Sequence, residues 1–268
     1  MVSVVKIGGS LISLGPIAHI LEDFKEALKE EKLVLVHGGG NEVTRIAERL
    51  GKEQRFIYSP SGIRSRYTDK ETVEIYTMVM AGKINTEIVS QLQSIGINAF
   101  GLSGVDGGLM KAERKKRLII IDERGRKRAI EGGYTGRIIS VNVDVIDMLL
   151  KRGFVPVISP IALGTEFEVL NVDGDRAAAH VAGFLKADNL IFLTDVEGLY
   201  MSGKLMRKLT LKEAREAIKK VGPGMDKKLM AASEAIELGA KRGIISSGKR
   251  ENPITYALKG DEKTVIEK

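Results

Sequence analysis

The chain has 268 residues, 43% apolar and 29% charged, which excludes a disordered segment and suffices for one large α/β domain or two joined lobes. The absence of cysteine rules out disulfides, zinc–thiolate sites and thiol nucleophiles, and the three histidines (His19, His37, His180) are too scattered for a metal centre. The net charge of +7 is concentrated: Lys111–Arg128 holds nine basic and three acidic residues, a local +6, so a globally basic nucleic-acid binder is disfavoured.

In chain order, Val2–Ile7 reads as a buried strand, Pro16–Glu30 as helical and Leu33–Val36 as a second strand. Asn41–Leu50 is predicted helical, starting just after three glycines. Lys70–Ile95 carries apolar residues at helical spacing and is long enough for one kinked helix or two. Ala99–Leu102 is a short strand. Leu118–Asp122 and Arg126–Ile130, joined across Glu123–Gly125, form a hairpin that carries the basic charges. Val143–Arg152 is a helix, and Val155–Ile158 a strand followed by Pro160. Asp173–Phe184 is helical, Asn189–Thr194 a strand, and Leu211–Val221 and Lys227–Leu238 helices. This alternation calls for an open, mainly parallel sheet with helices on both faces, and ligands beyond the strands' carboxyl ends. A change of lobe falls near Gly164–Asn171, dividing the chain into residues 1–168 and 169–268. No apolar run approaches the ~20 residues that span a membrane, and no leader precedes the first strand, so a cytoplasmic protein without membrane attachment is expected.

Four segments carry chemistry. In Val5-Lys6-Ile7-Gly8-Gly9-Ser10 a lysine leaves a buried strand just before two glycines, so a point charge and turn N–H groups can meet one phosphate. The pattern differs from a P-loop, which needs Gly-Lys-Ser/Thr after a longer loop, and a tight structural turn would look the same. Val36-His37-Gly38-Gly39-Gly40-Asn41 repeats the arrangement. Three consecutive glycines cost backbone entropy and favour close approach to an anion, a phosphate or a carboxylate. In Asn171-Val172-Asp173-Gly174-Asp175, Asp175 lies early in a helix, where it either stabilises that helix or anchors lysines. Leu193-Thr194-Asp195-Val196-Glu197-Gly198-Leu199 is a strand and turn fit to hold a nucleotide. Gly222-Pro223-Gly224-Met225-Asp226-Lys227-Lys228 delivers a lysine to a helix start, where a cation opposes the dipole and is better explained by a ligand.

Together, and in this order, the segments resemble the amino acid kinase family, within it the acetylglutamate kinase branch, over nearly the whole chain. The resemblance implies a three-layer αβα sandwich whose acceptor lobe and ATP lobe share one continuous sheet. It also implies that Lys6 and Lys228 stabilise the phosphoryl group in flight and that Asp175 holds both lysines. Gly8 and Gly9 are expected at the nucleotide phosphates, Gly39 and Gly40 at the substrate, Asn171 at the substrate's α-substituent or carboxylate, and Thr194, Asp195 and Gly198 at the nucleotide. ATP with Mg2+ is the implied cofactor; the motifs hold no dedicated protein cage for the metal. A carboxylate acceptor is already nucleophilic, so no general base is needed.

One segment departs from acetylglutamate kinases. Their Gly-x-Arg-x-Thr-Asp stretch reads here Ser59-Pro60-Ser61-Gly62-Ile63-Arg64-Ser65-Arg66-Tyr67-Thr68-Asp69, two residues longer and with two arginines. Alignment on Gly62 selects Arg64 as carboxylate clamp; alignment on Thr68-Asp69 selects Arg66. The longer form resembles kinases acting on aminoadipate or glutamate carried by the acidic amino-group carrier protein LysW, in lysine and arginine biosynthesis. On that reading the basic stretch 111–128 docks the carrier; otherwise it is a solvated hairpin. A homodimer is expected. The rivals are kinases of free N-acetylglutamate, uridylate or carbamate, and a catalytically silent nucleotide- or RNA-binding module. Few aromatic residues are present to stack bases, which argues against RNA.

Overall fold

The strands that build the molecule are short β-branched runs, and their side chains alternate between two separate cores. The computed structural model describes residues 1–15 and 17–268, so Pro16 of the second predicted element lies outside the described residues. In Lys32–His37, Val34 and Val36 face one core while Leu33 and Leu35 face the other. In Asn189–Thr194, Leu190 and Phe192 divide from Ile191 and Leu193 in the same way. That is the signature of a parallel sheet covered on both faces.

Among the described residues the main sheet has eleven strands. Val2–Ile7 lies at its centre, parallel to Lys32–His37 on one side and to Asn189–Thr194 on the other. Beyond these stand Val155–Gly164 and Arg242–Ser247, again parallel. Antiparallel strands, such as Gly136–Val141 and Thr264–Glu267, appear toward the margins. One face is covered by helices Val143–Lys151, Gly174–Phe184, Leu211–Ala217 and Met225–Leu238. The other is covered by Ala18–Ala27, Gly40–Arg49, Lys70–Thr77, Asn85–Ser94 and Pro253–Lys259. The architecture is the expected αβα sandwich on a mainly parallel sheet.

Three differences have physical reasons. Val155–Gly164 continues through Pro160. Pro160 falls where the strand changes partners, from Lys32–His37 and Ala99–Gly104 to Met110–Arg114 and Val169–Asn171, so its missing N–H interrupts no ladder. The long Lys70–Ile95 stretch is two α-helices joined by a seven-residue π-helix, Met78–Ile84, the wide turn often found beside functional sites. The Ser59–Asp69 departure is itself a hairpin, Phe56–Tyr58 paired with Arg64–Arg66 and turned at Gly62, whose φ is +81°.

The basic stretch is not one feature. Lys111 and Arg114 belong to a main-sheet strand, whereas Arg117–Ile121 and Lys127–Glu131 form the predicted hairpin in a second, four-stranded sheet. That sheet also contains Phe56–Tyr58 and Arg64–Arg66, through the pair Tyr58–Ile121.

Candidate functional site

Two glycine turns interlock at the carboxyl ends of the central strands. Gly8 N–H donates to Leu193 O at 3.1 Å and Gly38 N–H to Ile7 O at 2.9 Å, which fixes the turns after Val2–Ile7 and Lys32–His37. A Cβ on Gly9 would stand 2.8 Å from Gly39 N, and one on Gly38 would stand 2.7 Å from Gly9 N. Gly39 has φ +151°, and a Cβ there would strike the Ile84 side chain, at the end of the π-helix, at 2.1 Å. These glycines are required because two backbones meet there. His37 is sealed beneath them: its Nδ1 is 2.9 Å from Gly38 O and its Nε2 3.2 Å from Asn85 Nδ2. Burial, reinforced by the nearby Lys6 charge and only partly offset by the Gly38 hydrogen bond, lowers its pKa to about 4. His37 is therefore a neutral structural ring that donates through Nδ1 and accepts at Nε2.

Lys6 leaves the central strand on the face covered by Gly174–Phe184, and its Nζ lies 2.6 Å from Asp175 Oδ1. Lys228 Nζ lies 3.9 Å from Asp175 Oδ2. The two lysines and the aspartate are thus brought together from positions 6, 175 and 228. Burial alone would raise the Asp175 carboxyl, but Lys6, then Lys228 and more weakly Lys227, hold it below the usual carboxylate range. Burial also lowers the Lys228 ammonium, and Asp175 only partly counters this. Two cations share one carboxylate, so the cluster keeps an uncompensated positive charge suited to a further anion.

The helices that carry Asp175 and Lys228 run side by side in the same sense. Their starts meet at these residues, and near their far ends a Cβ on Gly183 would be 2.4 Å from the Leu238 Cβ. Gly183, where a Cβ would also stand 3.1 Å from Ala235 O, permits the close approach. Arg176 bridges the pair through a bidentate bond to Glu234, at 2.9 and 2.6 Å, and Glu234 also meets His180. Both positive helix ends consequently point into the cleft, the preferred environment for phosphate.

Arg66 sits against the second glycine turn. Its Nη2 donates to Gly40 O at 2.7 Å and to Thr44 Oγ1 at 2.9 Å, and its Nη1 donates to Gln54. Arg64 is exposed and stacks 3.6 Å over the Phe56 ring. Asn171 Nδ2 donates to Thr68 Oγ1 at 2.9 Å, which joins the end of the Val169–Asn171 strand to the Thr68-Asp69 segment. Thr194 caps its strand with Oγ1 3.1 Å from Asp195 Oδ1, and its carbonyl accepts from Gly248 N–H at 2.7 Å. Gly198 is different: a Cβ there would meet Thr264 Oγ1 at 2.6 Å and Leu205 Cδ1 at 2.9 Å, so close packing accounts for the glycine. Among the described residues no three His, Cys, Asp or Glu side chains group to hold a metal.

Sequence reasoning missed three residues here. Tyr76 is buried, its hydroxyl 3.5 Å from Pro160 O and Val172 O, and burial aided by Asp173 pushes its phenol upward. Arg176 and Lys227 were also missed, although both adjoin residues that were singled out. Their only available signal was that adjacency.

The profile of the amino acid kinase family matches residues 1–247. The chain belongs to the amino acid kinase family. Among its relatives, the Saccharolobus solfataricus (strain ATCC 35092 / DSM 1617 / JCM 11322 / P2) LysW-aminoadipate/LysW-glutamate kinase is 50% identical over 256 residues, 95% of this chain and 96% of that one. A Cenarchaeum symbiosum (strain A) protein, provisionally given the same kinase name, is 57% identical over 263 residues and 98% of each chain. The fold is shared with N-acetylglutamate synthase from Neisseria gonorrhoeae at a TM-score of 0.80 and 22% identity, covering all of this chain and 59% of that one. Carbamate kinase from Giardia lamblia matches at 0.71 and 15%, covering 99% and 98%. This family member is an enzyme, a phosphotransferase. None of its described helices is long and apolar enough to cross a membrane.

Proposed function

We propose that this enzyme transfers the γ-phosphoryl group of ATP to the side-chain carboxylate of aminoadipate or glutamate held through its amino group by LysW, in lysine or arginine biosynthesis. The observation that carries the substrate assignment is the four-stranded sheet that contains both Arg64 and Arg66 and the basic hairpin, linked through Tyr58–Ile121. Directly paired residues lie on one face of a sheet, so Arg64, Tyr58, Ile121 and Lys127 form a row. Tyr58 is 50% exposed and Ile119, on the same face, 52%. The row starts beside Arg66 on Gly40 and runs outward, mixing apolar contact with positive charge as an acidic protein partner requires. The kinase name carried by relatives at about half identity or more supports the same reading.

The chemistry follows from the cleft. The acceptor carboxylate oxygen attacks the γ-phosphorus, the bond to the β–γ bridging oxygen breaks, and ADP leaves from an acyl phosphate. No proton needs to be removed. Lys6 and Lys228 would meet the charge on the transferring oxygens, with Asp175 fixing both. Gly8 and Gly9 would supply N–H donors to phosphate, while Thr194 and Asp195 border the nucleotide. Mg2+ would enter on the ATP phosphates and neutralise part of their charge. Two lysines on one buried carboxylate, with the starts of both helices turned into the cleft, fit such a polyphosphate. Gly39, Gly40 and Asn171 would line the acceptor pocket. Of the two arginines, Arg66 stands at that pocket and Arg64 on the row leading to it. Residues 1–168 form the acceptor lobe and 169–268 the ATP lobe, and a homodimer completes the proposal. The deciding experiment compares carrier-linked glutamate, carrier-linked aminoadipate and free N-acetylglutamate across a salt series. Turnover of a carrier-linked acceptor at least tenfold above that of N-acetylglutamate, declining as salt rises, is expected. Equal turnover of free N-acetylglutamate, indifferent to salt, would refute it.

A further inference from the structure

Lys227 has no part in the chemistry above, yet it spans the two halves of the site. It occupies the first turn of helix Met225–Leu238, one residue before Lys228. The turn ahead of it is Gly222-Pro223-Gly224, with Gly224 at φ +92°. Asp226 orders that turn by accepting from Gly224 N–H at 2.8 Å and Lys227 N–H at 2.7 Å. From this base the Lys227 side chain crosses to the acceptor hairpin, where Nζ donates to Arg64 O at 2.9 Å. The same Nζ is 3.7 Å from Asp173 Oδ2. Asp173 in turn caps the helix carrying Asp175, accepting from Asp175 N–H and Arg176 N–H.

One ammonium therefore ties together three things: the helix start that presents Lys228, the cap beneath Asp175, and the strand Arg64–Arg66. That strand is the edge of the four-stranded sheet, three residues long, so it gains little support from its own ladder. Arg66 anchors it as well, on Gly40, Thr44 and Gln54. A change in the hairpin's position on seating an acceptor would be felt at Lys227, and through the helix turn at Lys228.

We infer that Lys227 is a positioning residue, a latch that couples occupancy of the acceptor hairpin to the placement of Lys228 on the phosphoryl group. The inference rests on the phosphoryl-transfer reading for the role of Lys228. Coupling between two sites is reciprocal and measurable without turnover. Calorimetry would measure the affinity for the non-hydrolysable ATP analogue AMP-PNP with and without carrier-linked glutamate, and again with N-acetylglutamate, for the wild type, Lys227→Met and Lys227→Arg. In the wild type the effective acceptor should raise analogue affinity several-fold. Lys227→Met should leave each separate affinity within about twofold, remove the enhancement and lower kcat about tenfold, with KM for ATP little changed. Lys227→Arg, which keeps a donor, should restore most of both. Wild-type coupling that survives in Lys227→Met overturns the latch, as does a wild type with no coupling. A matching loss in both variants, together with a lowered melting temperature, also overturns it, because it marks a merely structural contact. Cooperative binding without phosphoryl transfer to any acceptor would sink the transfer reading and leave the latch standing.

Discussion

The two sheets solve opposite problems. The large sheet buries its strands on both faces and ends in a cleft whose groups are mutually locked: glycine against glycine, two lysines on one aspartate, two helices bridged by Arg176 and Glu234. The small sheet is short-stranded, half-exposed and loosely paired, with Arg117, Arg124, Lys127 and Arg128 facing solvent. Phosphoryl transfer needs fixed charge geometry, which deep burial supplies. Partner choice needs an accessible, complementary surface, which burial would destroy. On the proposed reading, reaction and selectivity fall to regions of different rigidity, joined at Arg66 and Lys227.

The sharpest way to break this contrast is to disturb the cleft alone. Lys228→Ala or Asp175→Asn should lower kcat by about 10²–10³-fold or more with every acceptor, while ATP binding persists. Steady-state rates beside a nucleotide titration check this, and unchanged turnover would remove the residue from the chemistry. Next comes the buried ring under the glycine turns. His37 has its folded pKa depressed to about 4, below the ordinary 6.5, so its contribution is fully present above 6.5 and is lost as pH falls through 4. That loss should approach about 3 kcal/mol. Urea unfolding across that range should show the decline in the wild type and a flatter profile in His37→Gln. A third test strikes the interlock: Gly39→Ala forces a side chain onto Ile84 and should destabilise by about 1–3 kcal/mol, read from the urea midpoint. The smallest effect is expected from the small sheet. Arg117→Glu with Lys127→Glu should raise KM for a carrier-linked acceptor about tenfold and flatten its salt dependence, at nearly constant kcat. A fall in kcat instead would erase the distinction between the two regions.

The large sheet was legible because its signals are local and repeated. Val2–Ile7 and Asn189–Thr194 appear as predicted, residue for residue, since short, largely apolar runs bounded by glycine or a polar turn leave little choice. Lys6, Asp175 and Lys228 could be picked out only by what stood next to them, glycines or a helix start, and by family resemblance. Their meeting across more than two hundred residues is a product of topology that no window contains. The hairpin Phe56–Tyr58/Arg64–Arg66 is not legible in the sequence, because two three-residue strands carry no periodicity. For the same reason sequence alone could not separate the roles of Arg64 and Arg66: only the fold sets one on Gly40 and the other over Phe56. The π-helix escaped too, since its apolar spacing continues that of the flanking α-helices.

The central strand has one more consequence, in time. Val2–Ile7 emerges from the ribosome before either of its sheet partners, and the one on one edge, Lys32–His37, follows at once. Its other partner, Asn189–Thr194, arrives much later. At about 5–20 residues per second that edge waits roughly ten to forty seconds, apolar and unpaired. The strand that carries Lys6 is thus made long before its second edge is paired, so a nascent chain cannot assemble its charge cluster early. Appearance of activity would serve as a clock for closure of the whole sheet, and a folding factor that shields this edge would shorten the most aggregation-exposed interval in the life of the protein.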